Sequence, residues 1–197
     1  MEAGRVRFVE WIQRGFDLYK DNLVTLIAAT AVAAVLSIAT LGILAGPMAA
    51  GLIFLTLGLL DKREPKPQMS DVFKGFDWFL QSLLYVVVWA VILNVVGLIV
   101  LAAPFVGPLL HALVQIVGWT LVAFALFLIV DKKMDFWAAS MASVRLVATC
   151  FFPVLALVIV TGLLASIGLL ACGVGVFVTA PLKVCILAVA YRELFKS

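Results

Sequence analysis

Three long stretches of this chain contain no Asp, Glu, Lys or Arg: residues 23–60, 78–130 and 146–182. Because about 20 apolar residues are enough for a helix to cross the hydrocarbon core of a bilayer, each stretch is long enough for two spans. The composition agrees, since 65% of the residues are hydrophobic and 13% are charged, which differs from water-soluble domains. The pattern predicts an all-α fold: a polytopic membrane helical bundle in which six transmembrane helices form three hairpins.

The charged residues indicate how these helices are oriented. We expect spans near 22–42, 46–61, 81–103, 108–130, 150–170 and 174–191. All 14 Lys and Arg residues then lie on or toward the side that holds both termini, and the three opposite connections carry none. By the positive-inside rule that side is the cytoplasm, so both termini are predicted to be cytoplasmic. No cleavable signal peptide is visible, and we expect the first span to stay attached.

Two prolines affect the regularity of the predicted spans. From Pro47 to Leu60 a helix would rise only about 21 Å at 1.5 Å per residue, which makes the second span short. Pro181 lies several residues inside the sixth span, where it cannot donate a backbone hydrogen bond, and we expect it to break or kink that helix.

The chain also shows a weak threefold repetition within a single membrane domain, residues 1–197. The predicted units are 5–64, 70–134 and 135–197, and each begins with an amphipathic helix that precedes its two spans. The first two of these entry helices share a nearly identical motif, Gly15-Phe16-Asp17 and Gly75-Phe76-Asp77. We expect the entry helices to lie in the headgroup plane of the membrane.

Aromatic and basic side chains at the predicted membrane entries and exits are typical of interfacial anchors, because their polar ends reach water while their apolar parts contact lipid. The residues predicted to anchor the protein in this way are Trp11, Arg14, Phe16, Phe76, Trp78, Trp137 and Arg192.

Four polar residues fall inside the predicted spans and form the candidate intramembrane site: Lys183, Asn94, His111 and Gln115. Polar groups are costly in lipid and often mark function, so they are candidates for lining a polar cavity. The alternative is that Lys183 extends to the headgroups, that Asn94 joins two helices, and that His111 and Gln115 lie at the interface.

The sequence offers no catalytic or metal site. It contains no H-E-x-x-H, G-x-S-x-G or P-loop pattern, and no pair of carboxylates lies inside the predicted bilayer region. Three scattered cysteines and a single histidine do not form a metal-binding pattern. Basic residues alternate with acidic ones in small groups, which suits lipid headgroups better than nucleic acid. We therefore expect no cofactor and no nucleic-acid partner.

The ends of the spans carry motifs that resemble a known group of bacterial proteins. These motifs are Leu59-Leu60-Asp61-Lys62-Arg63-Glu64-Pro65, Asp71-Val72-Phe73-Lys74-Gly75-Phe76, Val130-Asp131-Lys132-Lys133 with Ala142-Ser143, and Pro181 with Ala190-Tyr191-Arg192-Glu193-Leu194-Phe195. The chain resembles the bacterial six-span integral-membrane families of unknown function, and is similar in style to the membrane part of some glycerophosphodiester phosphodiesterases. The resemblance implies an inner-membrane location and a six-helix bundle, but no established activity, because the soluble phosphodiesterase domain is not part of this sequence.

Two functions fit these features. The first is a non-enzymatic inner-membrane protein that acts as an accessory, scaffold or lipid-organising subunit, in contact with lipids, a membrane-protein partner or a second copy of itself. The alternative is a transporter or channel for a small molecule or ion, with a pathway lined by Lys183 and Asn94. An enzyme that acts on lipids is the least favoured, because interface anchoring already explains the positions of the charged residues.

Overall fold

The computed structural model describes residues 8–170 and 175–195, and the regular secondary structure within them is entirely helical. The helices are α1 (Phe8–Asp21), α2 (Leu23–Ala39), α3 (Ala45–Leu60), a 3₁₀ helix (Met69–Trp78), α4 (Phe79–Leu101), α5 (Gly107–Leu121), α6 (Ala125–Lys132), α7 (Phe136–Thr149), α8 (Phe151–Leu170) and α9 (Val176–Leu194). The predicted all-α fold is confirmed.

Two helical stretches are long and apolar enough to cross a membrane: Met69–Leu101 and Gly107–Lys132. Two further pairs of helices, α1–α2 and α7–α8, are bent by 88° and 106° where they join. If each pair counts as one span, the number of candidate membrane spans among the described residues rises to four. Helix α3 is apolar but has only 16 residues, and α9 carries three charged side chains. The fold is consistent with a membrane location on two to four such helices, and the full set of six spans stays a prediction.

Helix α1 is amphipathic, with the apolar residues Val9, Ile12, Phe16 and Tyr19 at helical spacing, but these residues do not all lie on its buried side. The inward side carries Trp11, Gly15 and Tyr19, while Val9 and Phe16 are exposed. Gly15 explains the choice, because a Cβ at this position would lie 2.7 Å from the Cα of Ile186 in α9. The glycine permits this close approach of the two helices, and Val9 and Phe16 are left on the outer face.

The entry helices dock on the second helices of the hairpins: α1 packs against α9, the 3₁₀ helix against α3, and α7 against α6. The 3₁₀ helix comes closest. A Cβ on Gly75 would collide with the carbonyl oxygen of Pro47, and one on Gly51 would collide with that of Val72. The two glycines thus let backbone approach backbone. Gly75 and Gly15, which occupy the same position in the two copies of the Gly-Phe-Asp motif, thus have the same role: each lets its entry helix pack closely on another helix.

The core lies where α3, α6 and α9 meet. In α6 every side chain from Ala125 to Val130 is buried, and so is every side chain from Cys185 to Tyr191 in α9. By contrast α4 buries only four of its 23 residues and turns many apolar side chains outward. The centre of the bundle is therefore sealed, whereas α4 presents an apolar surface to its surroundings.

A break in a predicted span is present, but it lies between α5 and α6 and not at Pro181. Helix α9 runs continuously through Pro181, so the break expected there is not present. The fourth predicted span is interrupted instead, because α5 ends at Leu121 and α6 begins at Ala125. Helix α3 begins two residues before Pro47, which gives it a length of about 24 Å at 1.5 Å per residue. Proline at the third helical position needs no intrahelical donor.

Candidate functional site

The interruption between α5 and α6 is closed by side chains of other helices. Ser143 of α7 donates to the carbonyl of Leu121 at 2.8 Å and accepts from the backbone N–H of Phe124 at 3.2 Å. Tyr85 of α4 donates to the carbonyl of Val122 at 3.0 Å. Backbone groups freed by a break must be satisfied when water is excluded, and here three of them are. The break is a packed joint rather than an open site.

An ionic network lies at the end of the bundle where α3, α6 and α9 terminate, which we call the charged end. Its centre is Arg192. The Arg192 Nε donates to Asp61 Oδ1 at 3.0 Å, its Nη1 to Asp131 Oδ2 at 2.7 Å and its Nη2 to Asp131 Oδ1 at 2.9 Å. A second bond from Nη2 to Asp61 makes both pairs bidentate. This geometry is the strongest that a guanidinium and carboxylates adopt.

Neighbouring side chains extend the network. The Tyr191 hydroxyl donates to Asp131 Oδ2 at 2.9 Å, and an Arg63 Nη2 lies 3.6 Å from Asp61 Oδ2. At the residue after Arg192, the Trp11 indole donates to Glu193 Oε2 at 2.7 Å, which ties α1 to α9. The charged end thus joins the last residues of three helices to the first entry helix.

The pKa of Arg192 reflects this environment. Burial by itself would lower the pKa, but hydrogen bonds to Asp131 and Asp61, together with their negative charges, raise it above its ordinary value. The guanidinium therefore stays charged, and both aspartate side chains are used in pairing with it.

A different environment surrounds Lys183. It lies nine residues before Arg192 in α9, about 13 Å along the helix axis. Together with side chains of α5 and α8 it lines a lateral groove of about 390 Å³, whose lining residues are Gln115, Ile116, Trp119, Val158, Ile159, Gly162, Leu163 and Lys183. Apart from the ammonium, the Gln115 amide and the Trp119 indole N–H, the lining is apolar.

Within residues 8–170 and 175–195 the structure gives Lys183 neither a hydrogen bond nor an ion pair, and no carboxylate lines its groove. Gln115 has one weak contact, from its Nε2 to the carbonyl of Leu93 at 3.4 Å. A cation among apolar side chains without a counter-charge is costly, and it attracts an anion or water.

The four residues of the predicted intramembrane site do not converge. Lys183 and Gln115 line the same groove. His111 lies one turn before Gln115, and both side chains approach Gly97 of α4. The Nδ1 of His111 is buried there without a hydrogen-bond partner among the described residues. Asn94 is exposed on α4 and donates to the carbonyl of Ala90 in its own helix at 2.8 Å. Gln115 thus shares the groove with Lys183 and the contact with Gly97 with His111, whereas Asn94 bonds within its own helix.

The predicted anchor residues have different surroundings. The side chains of Phe16, Phe76 and Trp137 are exposed, at 45%, 41% and 52%. Trp11 is buried and bonded to Glu193, and Arg192 belongs to the charged end. An anchoring role for the seven predicted residues stays a prediction. The contacts of Trp11 and Arg192 are with other residues of the protein.

Several residues that connect helices in the structure were not identified from the sequence. Asp61 and Asp131 were recognised only as the charged ends of spans, and Ser143 only as part of a motif. The signal was present, because Asp61-Lys62-Arg63, Asp131-Lys132-Lys133 and Tyr191-Arg192-Glu193 all follow the second span of a hairpin. If the hairpins are equivalent, these three ends lie side by side.

In the part of the chain that the structure describes, no group of three or more His, Cys, Asp or Glu side chains could hold a metal ion. Cys185 is buried and Cys150 half-buried, both as free thiols, while Cys172 lies outside the described residues. Among known proteins, no family model matches this chain, and no curated protein or solved structure matches it either.

Proposed function

We propose that this chain is a non-enzymatic, multi-pass protein of the bacterial inner membrane that acts as an accessory or lipid-organising subunit. The observation that carries the proposal is the apolar outer surface of α4. Its exposed side chains extend over the length of the helix and include Leu80, Val87, Val91, Ile92, Val95, Val96, Leu98 and Ile99. An exposed apolar surface of this extent is typical of contact with lipid or with a partner helix.

The charged end supports a structural rather than a catalytic role. General acid–base catalysis needs a carboxylate that is free to exchange a proton with its substrate. Asp61 and Asp131 are each held in bidentate contact with Arg192. In this arrangement the two aspartates serve to connect helix ends.

The proposed topology places all six predicted spans across the bilayer with both termini in the cytoplasm. The support is the distribution of charge, since all 14 basic residues lie on or toward one side. The short α3 and the lysine of α9 do not prevent this, because helices enclosed by other helices tolerate both. In this topology the charged end lies at the cytoplasmic surface.

Site-specific photocrosslinking in the native membrane tests the accessory function. A photoreactive residue at Val91, which is 56% exposed, reaches the surroundings of α4, while the same residue at Leu93, which is 6% exposed, is the matched control. We expect Val91 to yield a stoichiometric adduct with lipid or with one membrane protein, and Leu93 to yield none. If the adduct is a protein, deletion of this chain should lower the abundance of its complex.

Two results would contradict the accessory function: equal labelling from Val91 and Leu93, or a deletion strain in which membrane complexes and lipid distribution are both unchanged. Both readouts are independent of any transport activity.

Transport of a small solute is the second candidate function, and the groove around Lys183 is the observation that favours it. Uptake of solutes into proteoliposomes distinguishes the two candidate functions, when vesicles with the wild-type protein are compared with vesicles that contain Lys183→Met. The accessory function predicts equal uptake by both proteins over a panel of solutes. Uptake that is present with the wild type and lost in the variant would establish transport instead.

A further inference from the structure

We infer that the groove between α5, α8 and α9 binds a single-chain amphiphile with a carboxylate head, such as a long-chain fatty acid. The carboxylate lies against the Lys183 ammonium and the Gln115 amide, and the hydrocarbon chain lies along the apolar lining. This inference rests on the proposed function only in placing the groove within the membrane.

Charge complementarity with Lys183 indicates that the ligand is negatively charged. Lys183 lies among apolar side chains, and the described residues provide it with no acidic partner. A carboxylate supplied by a ligand would provide the missing counter-charge in a region of low dielectric constant, where such a pair is stronger than in water.

The small number of polar groups determines the size of the head. A carboxylate has two oxygens, and the polar groups of the groove are the Lys183 ammonium, the Trp119 indole N–H and the Gln115 amide. The Gln115 nitrogen makes one weak bond to Leu93 and carries a second N–H. A phospholipid head has further ester, phosphate and hydroxyl oxygens, which would be buried without partners among aliphatic side chains. The groove therefore fits a compact carboxylate better than a phospholipid head.

The shape of the groove suits one hydrocarbon chain. Aliphatic side chains of two helices line it, and Ile116, Ile159 and Leu163 are exposed at its rim, so that the groove opens sideways to the bilayer. Beside Gly162 there is open space, since a Cβ there would have no heavy atom within 4 Å. We expect a larger side chain at Gly162 to occupy this space.

Tryptophan quenching tests this site directly. Trp119 lines the groove, so stearate with bromine atoms at its mid-chain should quench its fluorescence on contact. The probe is titrated into the full-length protein in a neutral detergent. We expect saturable quenching in the wild type, and Trp119→Phe should remove the saturable part while binding of radiolabelled stearate persists. The methyl ester of the brominated acid should give no saturable signal.

Three variants separate charge, shape and folding. Lys183→Met keeps a side chain of similar length and should weaken binding about tenfold or more, because a charge-assisted pair is lost. Gly162→Leu should weaken it by filling the groove. Lys66→Met, in the exposed link between Pro65 and Pro67, is the matched control and should bind as the wild type does. Gel filtration verifies that each variant is folded.

The inference is overturned if Lys183→Met and Lys66→Met bind the acid equally, or if the methyl ester saturates as the acid does. Saturable quenching by a brominated anionic phospholipid, with none by the acid, would overturn it in favour of a phospholipid site. None of these results bears on crosslinking at Val91, so failure here and failure of the accessory function are distinguishable.

Discussion

Arg192 and Lys183 are cations on the same helix, nine residues apart, and the structure treats them in opposite ways. Arg192 makes bidentate contacts with two aspartates that come from α3 and α6. Lys183 faces a groove without any acidic side chain. A cation with partners from other helices thus holds the bundle together, whereas a cation without such a partner is available to a ligand.

The two regions also differ in how they are built. The charged end is formed by the last residues of buried helices, so its geometry is fixed by the core beneath it. The groove is formed by α5, α8 and α9 at the lateral surface, where Ile116, Ile159 and Leu163 are exposed. The joint between α5 and α6 separates the regions, since α5 lines the groove and α6 ends in the network.

The largest effect is expected at the charged end. Arg192→Met leaves two aspartates facing each other, and we expect it to lower the free energy of unfolding by about 2–3 kcal/mol, since both pairs are only partly exposed to solvent. Thermal unfolding in detergent measures the change. The matched control is Arg63→Met, whose side chain is 42% exposed and lies 3.6 Å from Asp61.

A rescue sharpens this first prediction. Replacing Asp61 and Asp131 by Asn in the Arg192→Met background removes the uncompensated charges and should restore part of the loss. A triple variant less stable than Arg192→Met would show that charge pairing is not what joins these helix ends.

The next effect is expected where the 3₁₀ helix docks on α3, whose end carries Asp61. Gly75→Ala places a methyl group on the carbonyl of Pro47 and should cost about 2 kcal/mol, because backbone cannot yield as a flexible side chain does. Gly162→Ala, where a Cβ meets no heavy atom within 4 Å, is the control and should be neutral or slightly stabilising. Equal losses in the two variants would contradict the close approach.

A smaller effect is expected at the joint between the two regions. Ser143→Ala removes a bond to Leu121 and one from Phe124, and leaves these buried backbone groups unsatisfied, at a cost of about 1–2 kcal/mol. Hydrogen exchange should accelerate at residues 121–125. Ser37→Ala is the control, since its hydroxyl bonds only to Ala33 of its own helix, and it should change little. Unchanged exchange in Ser143→Ala would mean that the joint is held by packing alone.

The smallest effect on stability is expected in the groove. Lys183→Met removes a charge that has no acidic partner in the described structure, so the free energy of unfolding should stay the same or rise by about 1 kcal/mol. Denaturant unfolding of the variant measures it. A loss similar to that of Arg192→Met would reveal that Lys183 has a structural partner.

Much of the helical architecture could be predicted from the sequence, because long apolar runs without charge leave no alternative to helices in lipid. Apolar residues at helical spacing predict the entry helices, and the structure has helices at these places, Phe8–Asp21, Met69–Trp78 and Phe136–Thr149. Their position in the headgroup plane stays a prediction. The buried face of α1 could not be predicted, since it depends on Gly15 meeting Ile186, a contact between the two ends of the chain.

The candidate site was predicted less well. Lys183 and Gln115 stood out because polar residues are rare in apolar runs, but their common groove depends on how three helices pack. The pairing of Arg192 with Asp61 and Asp131 joins positions 131 and 61 residues apart. The break at Leu121 carries no proline. Its signal lies in Ser143 and Tyr85, which belong to other helices.

One measurement tests the contrast between the two cations most directly: thermal unfolding of the wild type, Arg192→Met and Lys183→Met, each with and without stearate. A ligand that binds only the folded state raises the midpoint of unfolding. We expect Arg192→Met to unfold at a lower temperature than the wild type and still to be stabilised by stearate. We expect Lys183→Met to unfold no lower than the wild type and not to respond to stearate. An equal response to stearate in all three proteins, or a Lys183→Met variant as unstable as Arg192→Met, would contradict it.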